Sequence, residues 1–430
     1  MKRYIFFALI ICAIIKAGAT DIGGILGNMT LTKANSPYVI TKNTLIPSGV
    51  KVNVEPGVNV QFSTNASLQI DGIFLAHGLE NDSIYFTRNG TSAGSIKIMD
   101  SAKNYESGNV TSFSYCSFPQ EFYIQVSGSR PLITNCNYVG QISVWENGYP
   151  VISKNKIIGS IQALNSNFSI SENDILGGVI IEGGYNAFVV NNVIHGGVNG
   201  VVYDYVYTGT IIGNYIYDME KVAILARYLN SFGDTKIEIK CNSFWGNKGP
   251  NIELGCEFVP VIEHNNFFDY SIANVEIASV HYIQCNSSLP PGQYLAVNLK
   301  NNFWNGLSES EIEDSFVDFD DDFEKKVNVT AIENVSEMIY KEECLSGIVT
   351  SVKKSGAEVS NSINVFPNPS VGGAFTFTSD DCLIEEITLV NALNQQEVIK
   401  GNKVETSFKG LVTAIVKTNK GIFNKKIIIY

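Results

Sequence analysis

The chain has 430 residues, 17% of them charged, with 37 glycines, 24 phenylalanines, 20 tyrosines and a formal charge of −12. So acidic a chain lacks the overall basic balance that suits nucleic acid or an anionic membrane, which makes both poor partner candidates. Low charge combined with abundant glycine, aromatic and β-branched residues is strand-rich composition and argues against a helical fold.

Lys2 and Arg3 precede an apolar run from Tyr4 to Ile15, and Ala17-Gly18-Ala19 supplies the small residues of a signal-peptidase site. Residues 1–19 therefore read as a signal peptide. The run is shorter than the roughly 20 apolar residues that span a bilayer, so no transmembrane segment is expected in the mature chain. Losing Lys2, Arg3 and Lys16 takes the formal charge to −15. Seven cysteines remain, Cys116, Cys136, Cys241, Cys256, Cys285, Cys344 and Cys382, with no CxxC or zinc-type spacing. They read as buried thiols that fill a core.

Residues 20–44 are expected to form an N-terminal cap. Beyond it apolar positions alternate, at Val50, Val52 and Val54, then Val58, Val60 and Phe62, then Leu68 and Ile70. Pro-Gly, Asn-Ala-Ser and Asp-Gly break these runs into short strands joined by tight turns. Further on an apolar-x-x-Asn-x-apolar unit recurs: "ISKNKI" at Asn155, "ISENDI" at Asn173, "VNNVI" at Asn192, "IIGNYI" at Asn214, "IKCNSF" at Asn242 and "IEHNNF" at Asn265. The intervals are 18, 19, 22, 28 and 23 residues, with looser copies at Asn137 and Asn302. A strand-rich repeat near 20 residues is the sign of a solenoid. Asparagine tolerates the left-handed conformation of a sharp corner, and its amide both donates and accepts. Stacked rungs would place these amides roughly 4.8 Å apart, close enough to bond in a ladder. The fold expected over residues 45–330 is a right-handed parallel β-helix.

"YVITKNTLIPSGVKVNVEPGVNVQFSTNASLQIDGIFLAHG" resembles the opening rungs of secreted bacterial proteins of the pectate-lyase-like β-helix superfamily. "NNFWNGLSESEIEDSFVDFDDDFEKKVNV" is similar to their closing rung and exit segment. The resemblance is one of fold, and the superfamily hosts lyases, hydrolases, epimerases, adhesins and inert stalks. A lyase on this fold needs acids that hold Ca²⁺ against a uronate and a basic residue that takes the proton; a hydrolase needs paired carboxylates. Asp218, Glu220, Lys221 and Arg227, with Asp204 and His195 a rung earlier, are the candidates, set against ordinary surface charges on a turn. Tyr203, Tyr205, Tyr207, Tyr215 and Tyr217 recur on neighbouring rungs and could stack on sugar rings, or divide between core and surface.

Near the end of the solenoid "DFDDDF" offers Asp318, Asp320, Asp321 and Asp322 as possible Ca²⁺ ligands. Lys325 and Lys326 stand where further acids would help, so a charged cap over the last strand edges is the stronger reading and no cofactor is otherwise required. Residues 331–362 read as exit segment and linker.

Residues 363–430 alternate again in six or seven short strands, the pattern of a small β-sandwich. "FPNP" (Phe366, Pro367, Asn368, Pro369), Gly372-Gly373, "LVNALNQQEV", "FKGLVTAIVKTNKG" and the terminal "NKKIIIY" occur in the order seen in type A sorting domains of type IX secretion, which this segment resembles. Phe366 departs from the tyrosine usual there. The resemblance implies that the type IX machinery is a partner and that the protein is secreted or displayed on the outer-membrane surface of a Gram-negative bacterium. For the β-helix, the sequence favours a non-catalytic glycan-binding, adhesive or structural module, with a polysaccharide lyase or glycoside hydrolase as the alternative.

Overall fold

The computed structural model describes residues 18–91, 94–102, 110–119, 121–138, 140–184, 186–227, 237–255, 260–269, 273–277, 295–318, 320–321, 327–339, 363–366, 374–379, 383–391, 396–408, 410–418 and 421–429. Most of the expected signal peptide, the later part of the linker, Asp322, Pro367, Asn368, Pro369 and four of the seven cysteines beyond the signal peptide lie outside the described residues. The chain divides into two compact units, Met1–Val349 and Thr350–Tyr430.

The first unit is a right-handed parallel β-helix. Among the described residues thirteen parallel strands form one face, and a 22-stranded sheet supplies the other two. The long strands Asp174–Gly184 and Val193–Val206 run through the bend between those two faces, with a register shift between Gly177 and Val179. Each rung thus presents three faces in turn. Period-two alternation decides what lies inside: Ile152, Ile170, Val189, Ile211, Ile239 and Ile262 stand in register on the first face and all are buried. Removing such a side chain from water stabilises the fold by about 1.5–3 kcal/mol each.

From Lys154 onward the corner between the first and second faces repeats rung after rung. Lys154, Glu172, Asn191, Gly213, Cys241, His264 and Asn301 all adopt φ between 55° and 69°. The ladder asparagine comes next in sequence, so the sharp turn belongs to the residue before it. That frees the asparagine side chain to point inward. Asn155, Asn173, Asn192, Asn214, Asn242 and Asn265 each donate through Nδ2 to the Oδ1 of the next ladder residue at 2.9–3.2 Å. Their backbone N–H groups donate to the same oxygens at 2.8–3.0 Å. Asn302 receives the last pair of bonds. At the other end Cys136, not Asn137, occupies the ladder position, its N–H donating to Asn155 Oδ1 at 2.8 Å. The register puts Cys116 above it.

Stacking begins before the expected cap ends, since Thr20–Asp21 already pairs with Tyr38–Ile40 and Met29–Leu31 with Lys51–Val54. It also continues into the segment expected to be exit segment and linker: Val327–Ile332 pairs along Leu295–Lys300, and Ile339 exchanges two hydrogen bonds with the Asn266 carboxamide at 2.8 and 2.9 Å. Cys116 and Cys136 are buried free thiols. Cys241 is disulfide-bonded, so the thiol-filler reading fails at that corner position.

The second unit has a three-stranded and a four-stranded antiparallel sheet. Phe375, Phe377 and Val404 from one pack with Ile387, Leu389, Val412 and Ile427 from the other in a shared core, making a small sandwich. Phe366 ends its first strand, opposite Thr376.

Asn214→Ala would leave the buried Asn192 N–H without its acceptor and take one acceptor from Asn192 Nδ2, which keeps the Ile170 and Val190 carbonyls. A loss of about 2–5 kcal/mol is expected in urea unfolding of the β-helix transition. A change under 0.5 kcal/mol would show that the ladder does not bear on stability.

Candidate functional site

The four residues grouped from sequence do not converge. Arg227 ends the strand Ile224–Arg227 on the third face, and its Nε and Nη2 both lie 3.2 Å from Asp204 Oδ2 on the preceding rung. A guanidinium turned onto a carboxylate in this way is engaged there and is not directed at a substrate proton. Asp218 follows the strand Tyr215–Tyr217 on the second face. Glu220 and Lys221 are exposed in the bend between the two faces, where their backbone N–H groups donate to the carbonyls of Gly197 and Val198.

A different set does assemble on the second face. Counting three residues on from each ladder asparagine gives Leu176, His195, Tyr217, Trp245 and Phe268, an outward row set by strand register. The His195 ring stacks on Tyr217 with centroids 5.1 Å apart and an interplanar angle of 6°. Tyr217 in turn stacks on Trp245 at 4.4 Å and 10°, and Phe268 meets Trp245 edge-on at 6.5 Å. His195 Nε2 lies 3.0 Å from Asp174 Oδ1.

One residue further along each rung stand Gly196, Asp218, Gly246 and Asp269. Gly246 donates its N–H to Asp269 Oδ2 at 2.7 Å, and a Cβ there would come 2.4 Å from Asp218 Oδ1. Two carboxylates therefore reach the same glycine from opposite sides. Burial pushes the Asp218 carboxyl up from its ordinary value, with His195 pulling it back. Burial also pushes Asp269 up, helped by the Asp218 charge and opposed by the Gly246 N–H. Tyr217 is driven far upward by burial first and then by Asp174 and Asp218.

The tyrosines do not form one platform. Tyr203 is inside, donating its hydroxyl to the Ala187 and Thr210 carbonyls. Tyr205 adopts φ 55° and is exposed, which breaks the alternation that would have put Tyr203, Tyr205 and Tyr207 on one face. Tyr217 and Trp245 spend their ring faces on each other, and both are buried. At the far end of the solenoid Asp318 accepts N–H bonds from Asp320 and Val329, while Asp321 accepts one from Asp318. Asp318 thus ties its own loop, and burial raises its carboxyl. Among the described residues no group of three or more His, Cys, Asp or Glu is placed to hold a metal ion.

Fold and surface together define the class as a β-helix protein with an aromatic and carboxylate strip on its second face. No protein-family model matches the sequence, and no curated protein sequence does. Crystal structures of the periplasmic alginate epimerase AlgG are similar to the chain. One has 12% identity and a TM-score of 0.31, covering 72% of this chain and 84% of that one. A point mutant of the same epimerase has 13% identity and a TM-score of 0.34, over 69% and 78%. Likeness of that degree carries nothing about what this chain does.

Asp174, Trp245 and Asp269 were absent from the sequence grouping because it followed nearness along the chain, whereas the offset from each ladder asparagine picks out Trp245 and Asp269. Asp218 and Asp269 bind their protons more tightly folded than unfolded. Stability from them is therefore full below the ordinary aspartate value of 3.8 and declines as pH climbs through the raised folded values. Asp269→Asn keeps an acceptor for Gly246 and should flatten that decline in thermal melts taken from about pH 4 to 7. An unchanged slope would remove these carboxyls as its source.

Proposed function

We propose that the chain is an exported β-helix module that holds polysaccharide without cleaving it, delivered to the cell exterior by its C-terminal sandwich acting as a type IX sorting domain. The Arg227–Asp204 pair carries the non-catalytic reading. It engages the arginine that a lyase in this region would use as base. Delivery is supported by the ordered sorting-domain landmarks from Phe366 to the terminal strand, and by a C-terminal unit with a core of its own. An address read separately from its cargo needs that independence. No described helix is long and apolar enough to cross a membrane.

One observation favours a second reading. Asp218 and Asp269, both raised and both facing Gly246, have the elements of a general acid and a general base for glycoside hydrolysis. The full chain should produce neither unsaturated ends from polygalacturonate or alginate, followed by ultraviolet absorbance with and without Ca²⁺, nor new reducing ends from neutral glucans. Reducing ends that disappear in Asp218→Asn would replace the binding module by a hydrolase. Deleting residues 363–430 should hold the protein in the periplasm, and normal surface display of the truncated chain would overturn the sorting role.

A further inference from the structure

On the first face, five successive strands carry no charged side chain at an outward position: Ser112–Ser114, Leu132–Thr134, Val151–Ser153, Phe168–Ser171 and Ala187–Val190. Strand register aligns Ser114, Thr134, Ser153 and Ser171 in one row. Leu132, Val151, Ser169 and Phe188 form the row beside it. All eight are half-buried, and the hydroxyls of the first row and of Ser169 make no hydrogen bond to a described residue. Charge returns two strands away on either side: Lys51 before the strip, and past the equally uncharged Gly209–Ile212, Lys240, which bridges Glu238 and Glu263 at 2.9 and 2.8 Å.

Strand spacing of about 4.8 Å makes the strip roughly 20 Å long, and two outward rows make it roughly 10 Å wide, or about 200 Å². A stable protein interface buries about 800 Å² on each partner, so a second copy of this chain or another folded protein would find too little surface. A single extended polymer fits that shape. Sugar rings offer an apolar C–H face for Leu132, Val151 and Phe188 and a rim of hydroxyls for the serine and threonine row. A uronate chain would bring carboxylates to two rows that carry no cation, with the Lys154 at their edge already set against Glu172 at 3.8 Å, on a protein at −12. We infer that this strip is the polysaccharide-binding surface, and that its ligand is an uncharged polysaccharide lying along the solenoid axis. The inference rests on the reading of the chain as a glycan-holding module and adds the surface and the ligand class.

The test is retention of the full chain by insoluble cellulose and by a neutral mixed-linkage β-glucan gel, beside polygalacturonate and alginate gels. Wild type should be retained by a neutral glycan and not by the acidic ones. The double variant Thr134→Asp/Ser153→Asp should lose at least tenfold in affinity at an unchanged thermal midpoint. Ser171→Glu reads the same strip if the double variant fails to fold. Retention by acidic glycans alone, or variants that bind neutral glycan as wild type does, would overturn the strip while leaving a glycan-holding module. No retention on any of the four would take down both.

Discussion

One pairing governs where side chains point in this solenoid: from Asn173 onward the Oδ1 of each ladder asparagine accepts both the backbone and the amide N–H of the rung before it. A buried carboxamide left without partners costs more than its bonds return, so the rungs can stack only in the register that keeps these amides together. The left-handed residue ahead of each asparagine turns the corner, and the strand that follows alternates from a fixed start. Two residues on, Ile157, Ile175, Ile194, Ile216, Phe244 and Phe267 must face in. Three residues on, His195, Tyr217 and Trp245 must face out. The aromatic column is thus a consequence of the ladder, not an arrangement reached by its own contacts.

Much of the fold was readable because it repeats. The asparagine spacing named the solenoid, and alternation named the inward rows. What was misread are the places where the repeat hides its phase. At "NCNYV" the eye takes Asn137, but the corner before the strand falls at Asn135 and makes Cys136 the inward residue. At "VYDYVY" a left-handed Tyr205 shifts the alternation, so spacing alone cannot say which tyrosines share a face. Arg227 and Asp204 lie 23 residues apart, one full rung, and only register brings their side chains to 3.2 Å. Candidates grouped by nearness in sequence are therefore spread around a rung, while groups one rung apart meet.

The same rule separates the two surfaces. A solenoid whose rungs keep nearly constant length lays like residues in rows, and rows make uniform strips that suit a polymer with its own repeat. Chemistry asks for something else, namely unlike groups brought to one point. Such convergence needs the repeat to be broken. Between Asn155 and Asn192 the ladder intervals are 18 and 19 residues, and the charge-free strip on the first face covers those rungs. From Asn192 onward the intervals grow to 22, 28, 23 and 37, and there the outward row changes at each step, from His195 to Tyr217 to Trp245 with Asp218 and Asp269 beside it. Even in that irregular region the rings pair with one another, His195 is taken by Asp174 and Arg227 by Asp204. Groups satisfied by their neighbours are stable but chemically occupied. The regular rungs, whose half-buried hydroxyls have no partner among the described residues, retain bonding capacity, and for that reason the proposed glycan strip is placed on the repeat and not on its interruption.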